Sequence, residues 1–258
     1  MKLIDTHCHL TFDPLADDVD GVIRRSVEAG VDGFITVATE PADMRNALAI
    51  AEAHENVWAS IGFHPHNAKD VSDNDLATME RLARENGKIV AIGEAGLDYH
   101  YDHSPRDIQR KVFGDQLGIA ERIGKPVVVH CREAFDETMA ILDEFAGRLK
   151  DVVVHCYSGT AEQTKLLLDR GYYISFTGIV TFKKSVQTRE AAAMVPLERM
   201  MVETDCPYMS PEPVRNTRPC EPGMVVHIAR RLAEVKGMDF EEFASAVTET
   251  SVRFFGLE

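Results

Sequence analysis

Three observations in the sequence predict an α/β fold, a single (β/α)8 TIM-type barrel domain over residues 1–258. The length of 258 residues is close to the ~250 typical of that fold. Short β-rich runs recur eight times with helix-length stretches between them, and such alternation implies parallel strands joined by crossover helices. The first run ends in His-Cys-His-Leu, where an open doubly wound sheet would need a Gly-rich phosphate turn. A hydrophobic fraction of 45% with 27% charged residues excludes disordered, collagen-like and coiled-coil readings.

The strands follow from branched and aromatic runs bounded by polar, Gly or Pro residues. They are Lys2–His9, Gly33–Thr39, Val57–His64, Ile89–Leu97, Pro126–Cys131, Asp151–Tyr157, Tyr172–Ile179 and Met200–Asp205. Helical spacing marks Pro105–Ile123, with Ser104 as its expected N-cap and Pro105 at the first helical position. It also marks Thr160–Arg170 and, after a proline-rich loop over Pro207–Pro222, Glu221–Lys236 and Phe240–Phe255. No internal repeat, low-complexity tract or linker interrupts the pattern.

No apolar run reaches the ~18 residues of a membrane span. The start, MKLIDTHCHL, lacks the basic and apolar regions of a secretory signal, so a cytoplasmic protein is expected. The net charge of −14 argues against broad electrostatic binding to nucleic acid or to an anionic membrane. Five cysteines, none in a C-x-x-C pair, argue against a disulfide framework and a zinc ribbon.

Six ionisable residues fall at the carboxyl ends of apolar strands: His7, His9, Glu94, His130, His155 and Asp205. Active sites of barrels lie at that end. His7 and His9 share a face by period-two alternation and form a chelating pair. A buried histidine or carboxylate is costly unless paired or metal-bound, and six converging on one rim point to metal. Six ligands exceed the needs of one tetrahedral ion. His7, His9 and Asp205 suit one ion and His130 with His155 a second, with Glu94 bridging. Two ions would acidify a water and clamp both oxygens of a displacement. Four imidazoles with two carboxylates favour Zn or Mn, with Fe and Co also suited and Mg a further candidate. Cys8, Cys131, Cys156 and Cys206 stand beside the ligands, but alternation sends the first three to the opposite strand face, as small apolar filler.

The motifs DTHCHL (5–10), GFHPH (62–66), IGEAGLDYH (92–100), PVVVHCREA (126–134), HCYSG (155–159), ISFTGIVTFK (174–183) and ETDCPY (203–208) run in one order along the chain. In these the sequence resembles the TatD-type metal-dependent DNases, within the amidohydrolase-like barrel hydrolases. The resemblance implies a TIM-type barrel, metal binding by the same six residues, and phosphodiester hydrolysis, often from a 3′ end of DNA. It departs from the family in one loop. Arg215–Pro222 is one residue longer than the family's Arg-Gly-Lys-Arg-Asn-Glu-Pro-like segment and lacks the asparagine before the glutamate, which bears on substrate choice.

The expected function is a metal-dependent phosphodiesterase acting on single-stranded DNA ends, as a monomer. Asp205 is expected to be both ligand and general base. His64, Arg132, Lys183 and Arg215 are the candidate substrate contacts, with Arg218 beside them; Arg132 suits bidentate phosphate binding. A rival keeps the barrel and cleaves an amide, a lactone or an aminoacyl ester of tRNA. Many such enzymes bridge two metals with a carboxylated lysine near the end of strand four, where this chain has Glu94; Lys88 lies before that strand. A third class, a metal-binding protein without catalysis, leaves Asp205 without a purpose.

Overall fold

Residues 3–257 are described by a computed structural model; Lys2, the expected first strand residue, lies outside them. Eight strands alternate with helices: β1 Leu3–Cys8, β2 Val31–Ala38, β3 Val57–Ile61, β4 Ile89–Asp98, β5 Val127–Arg132, β6 Val152–Val154, β7 Tyr173–Phe176 and β8 Met200–Val202. The α-helices are α1 Val19–Glu28, α2 Met44–Ala53, α3 Asp73–Glu85, α4 Arg106–Ile123, α5 Phe135–Glu144, α6 Ala161–Asp169, α7 Val186–Met194, α8 Val225–Lys236 and α9 Phe240–Phe255. One eight-stranded sheet takes the strands in chain order, the (β/α)8 barrel class that the sequence predicts. Among the described residues no helix is long and apolar enough to cross a membrane.

The chain forms two compact units, one running up to Thr36 and resuming at Cys156, the other comprising Val37–His155. In the first, β1 pairs in parallel with β2 and β7 with β8. A bridge joins Cys8 to Cys206, four residues beyond β8. All six residues of β1 are buried, the pattern of a parallel strand covered on both faces. Helix α9 turns Phe243, Val247 and Phe254 inward, all with no exposure. Each such side chain contributes roughly 1.5–3 kcal/mol by leaving water. The Asp239 carboxylate caps α9 by accepting from the N–H groups of Glu241 and Glu242, and left-handed Gly256 ends it.

In the second unit, β3, β4, β5 and β6 pair in parallel. Two triple-valine runs lie in register, Val127 beside Val152, Val128 beside Val153 and Val129 beside Val154. Each run is followed by a histidine, so the pairing sets His130 next to His155. All ten residues of β4 are buried.

Four expectations about the elements need correction. Ser104 does not cap α4: Pro105 holds the cap position, and the Ser104 hydroxyl donates to the His66 carbonyl (2.8 Å) and accepts from the Lys69 N–H (3.1 Å). Glu94 stands within β4, four residues before its end at Asp98. β1, β3, β6, β7 and β8 end earlier than expected, so His9, His64, His155 and Asp205 lie on the segments that follow β1, β3, β6 and β8. The helix expected from Glu221 begins at Val225, after a 3-10 turn over Pro222–Met224. The preceding proline and glycine explain the delay, because neither favours an α-helical interior.

Candidate metal centres

In the first unit, main-chain pairing positions three of the nominated residues. The Asp205 N–H donates to the His7 carbonyl and the His9 N–H to the Cys206 carbonyl, both at 2.9 Å. Asp5 reinforces this seam. Its Oδ1 accepts from the Thr204 N–H (2.8 Å) and its Oδ2 from the Thr204 hydroxyl (2.6 Å). Burial pushes the Asp5 carboxyl up to about 8, against the pull of those hydrogen bonds. Asp205 itself has φ 57°, a left-handed conformation uncommon outside glycine.

The three candidate ligand atoms make a triangle. His7 Nε2 lies 3.3 Å from His9 Nε2, His7 Nε2 3.7 Å from Asp205 Oδ1, and His9 Nε2 3.4 Å from Asp205 Oδ1. An ion with bonds of about 2.0–2.2 Å and tetrahedral angles sets its ligands about 3.4 Å apart. Donor chemistry and spacing both fit a divalent ion. His9 stacks on Phe12, with centroids 4.5 Å apart, which fixes its ring plane.

In the second unit, Glu94, His130 and His155 come together as the sequence predicts. Glu94 Oε1 lies 2.6 Å from His130 Nδ1 and 2.7 Å from His155 Nε2, and those two nitrogens are 3.4 Å apart. Burial alone would raise the Glu94 carboxyl; the adjoining His155, His64 and His130 instead hold it well below the usual range. Two glycines allow the approach. Gly93 has φ 137° and Gly96 φ 155°, and a Cβ would meet the Val128 carbonyl at the first and the His130 carbonyl at the second. The sequence GEAG thus lets β4 press its main chain against β5 beside both ligands.

His64 joins this cluster. Its Nδ1 accepts the His66 backbone N–H at 3.1 Å, so the neutral ring carries its proton on Nε2. That N–H faces Glu94 Oε1 at 3.4 Å and His130 Nδ1 at 3.3 Å. Burial lowers its pKa to about 4 and keeps it neutral. His64 is therefore a hydrogen-bond donor aimed at the cluster.

Sequence reasoning passed over Asp98, His66 and two glutamines. Asp98 Oδ2 lies 3.1 Å from His130 Nε2 and 3.0 Å from His66 Nε2. Helix α4 supplies Gln109 and Gln116, seven residues apart and unexposed. Gln109 accepts from the Asp98 N–H (2.9 Å) and donates to the Asp98 carbonyl (3.1 Å). Gln116 does the same for Phe63, at 2.7 and 3.1 Å, directly before His64. Alternation from Glu94 would have placed Asp98 on the same face, and glutamines at helical spacing on an apolar face were the signal for the clamps.

Among the other nominated residues, Arg132 is exposed, its guanidinium 4.7 Å from the Tyr101 ring. Lys183 is exposed, and Arg215 stacks its guanidinium 4.1 Å from the neighbouring Phe182 ring. Arg218 turns back on its own loop, donating to the carbonyls of Arg215 (2.6 Å) and Thr217 (2.9 Å). Cys8 is buried with its thiol on the Ile35 carbonyl at 3.3 Å. The alternation argument does not reach Cys156, which lies past β6 with φ 48° and sets its sulfur 3.5 Å from the Thr177 hydroxyl.

Two clusters of candidate imidazole and carboxylate ligands on a (β/α)8 sheet fit a metal-dependent hydrolase, and similarity to known proteins gives that class and its family. A model described as TatD related DNase matches residues 4–256, and the chain belongs to that family. It is 38% identical to an uncharacterized metal-dependent hydrolase, YabD, from Bacillus subtilis over 98% of each chain. It is 35% identical to a 3′-5′ ssDNA/RNA exonuclease TatD from Pantoea ananatis, over 99% of this chain and all of the other. Among solved structures, YJJV, a TatD homologue from Escherichia coli K12, superposes with a TM-score of 0.93 at 31% identity, covering 99% of this chain and 98% of that one.

Proposed function

We propose that the protein is a phosphodiesterase that removes nucleotides from single-stranded DNA ends, 3′ ends foremost, with two divalent ions, Zn or Mn favoured. The triangle of His7, His9 and Asp205, with edges of 3.3–3.7 Å, carries this reading. His7, His9 and Asp205 hold one ion; Glu94, His130 and His155 hold the other. When bound, the ions supply the positive charge that acidifies a water and neutralises the phosphoryl oxygens.

The chain's own residues do the rest. Asp205 accepts the proton of the attacking water at the carboxylate oxygen that does not bind metal. His64 donates its Nε2–H to an oxygen of the reacting phosphate, and stays neutral because it is buried. Arg132 holds a phosphate through its guanidinium fork, kept in orientation by Tyr101. Lys183 and Arg215 hold further phosphates along the strand.

The test is a hydrolysis panel on metal-reconstituted protein: end-labelled single-stranded DNA, RNA, aminoacyl-tRNA, and small amides and lactones. Release of mononucleotides from labelled DNA, abolished by chelator and restored by Zn or Mn, is expected. Turnover of the amide, lactone or aminoacyl ester with inert DNA would overturn the reading.

A further inference from the structure

We propose that Asp98 is a positioning residue that fixes the ring and the tautomer of His130, so that Nδ1 is the atom offered to metal. The proposal rests on the metal-centre reading above and concerns Asp98, which lies within the IGEAGLDYH motif but outside the proposed ligand set.

His130 lies between two carboxylates. Its Nδ1 faces Glu94 Oε1 at 2.6 Å and its Nε2 faces Asp98 Oδ2 at 3.1 Å. Only the Glu94 side also presents His155, at 3.4 Å, so the ligand cluster forms around Nδ1. The Asp98 side is built to accept. Its Oδ1 takes the backbone N–H groups of His100 (3.0 Å) and Tyr101 (2.9 Å), and its Oδ2 receives His66 Nε2 (3.0 Å) as well as His130. The side chain has no exposure and Gln109 holds its main chain at both the N–H and the carbonyl. A carboxylate so fixed can only accept. The neutral His130 ring therefore keeps its proton on Nε2 and leaves the Nδ1 lone pair for the ion.

Replacement by asparagine reverses this with almost no change of shape. The two backbone N–H groups at Oδ1 select the amide oxygen for that position. The amide NH2 then faces Nε2 of His130, which must become the acceptor. The ring proton moves to Nδ1, where it competes with metal, as a misdirected tautomer does in a catalytic triad.

The experiment compares wild type with Asp98→Asn by competing zinc against a chromophoric chelator, alongside thermal unfolding of the metal-free proteins. The expected result is a loss of about 10–100-fold in affinity at one of two sites, the other site and the metal-free unfolding temperature staying close to wild type. Equal affinities at both sites, or losses matched by a large fall in the metal-free unfolding temperature, would overturn the proposal. A measurement on the wild type does not depend on the variant's folding: nitrogen-15 NMR of histidine-labelled, zinc-loaded protein. It should show His130 with its N–H on Nε2 and metal on Nδ1; the opposite assignment refutes the role of Asp98. A wild type that retains no zinc overturns the metal-centre reading itself, whereas zinc retained equally by both proteins removes only the role of Asp98.

Discussion

Asp205 combines a left-handed backbone with a carboxylate oxygen 3.4–3.7 Å from two imidazoles, the placement that the proposed ligand and general-base roles require. Asp205→Asn keeps the shape and removes the charge. Turnover should fall by about 10²–10⁴-fold, the usual worth of a general base, and metal content should drop, read by steady-state kinetics and elemental analysis. Unchanged kinetics would remove Asp205 from both roles. The proposed imidazole ligands must be neutral to hold an ion, so metal retention also depends on pH. As pH falls through the ordinary histidine value of about 6.5, protons displace the ion. Zinc affinity should be nearly full above about pH 7.5 and decline by roughly 10-fold per ligating histidine by about pH 5.5, with His130 protonating first because, against its burial, Asp98 and Glu94 hold it above the ordinary value; competition titrations across that range check it. At this scale the candidate ligands stood out because ionisable residues at or near the ends of apolar strands are rare. Asp98 and Gln109 were not, since their worth lies in hydrogen bonds that only the folded chain brings together.

At the scale of the element, the chemistry depends on how closely two strands approach. Gly96, at φ 155°, leaves room for the His130 carbonyl that any side chain would strike. Gly96→Ala should therefore lower stability by more than ~1 kcal/mol and weaken metal retention by displacing β4 from β5. Thermal unfolding and zinc content test it together; a stable, fully loaded variant would show that the approach is dispensable. The paired VVVHC segments were readable as strands from composition, and their register brings their histidines together. The strand ends were less legible. His64, His155 and Asp205 follow short strands, and an extended sequence pattern continues past the last ladder hydrogen bond. Ser104 misled for a related reason: serine before proline is a good cap, yet here its hydroxyl serves the segment around His66.

For the whole molecule, the net charge of −14 limits how nucleic acid can be held. That balance argues against a long basic stripe, and the nominated cations are the few at Arg132, Lys183, Arg215 and Arg218. Three to five phosphate contacts to a single strand predict a log–log salt slope of about −2 to −3.5. Binding of single-stranded DNA to a hydrolysis-dead variant that retains its metal, across a salt series, measures it. Linear DNA should be degraded and circular DNA spared. A slope steeper than about −6, or circles cut as fast as linear strands, would defeat an end-directed enzyme. The fold class was legible from eight alternations alone, since parallel strands admit few connections.

The two ligand clusters also differ in when a ribosome can complete them. Glu94, His130 and His155 span 62 positions and are all synthesised by residue 155, within a unit continuous in sequence. His7 and His9 must wait for Asp205, and the Asp5–Thr204 hydrogen bonds that hold this seam join residues 199 positions apart. Loop closure over such a separation comes late in any vectorial order. On the proposed two-centre reading, the emerging chain would own one candidate centre for about fifty codons before the other exists, at the ~5–20 residues per second of translation an interval of a few seconds. A metal captured early would meet an imidazole–carboxylate set lacking its attacking base, a nascent enzyme able to hold an ion before it can use one.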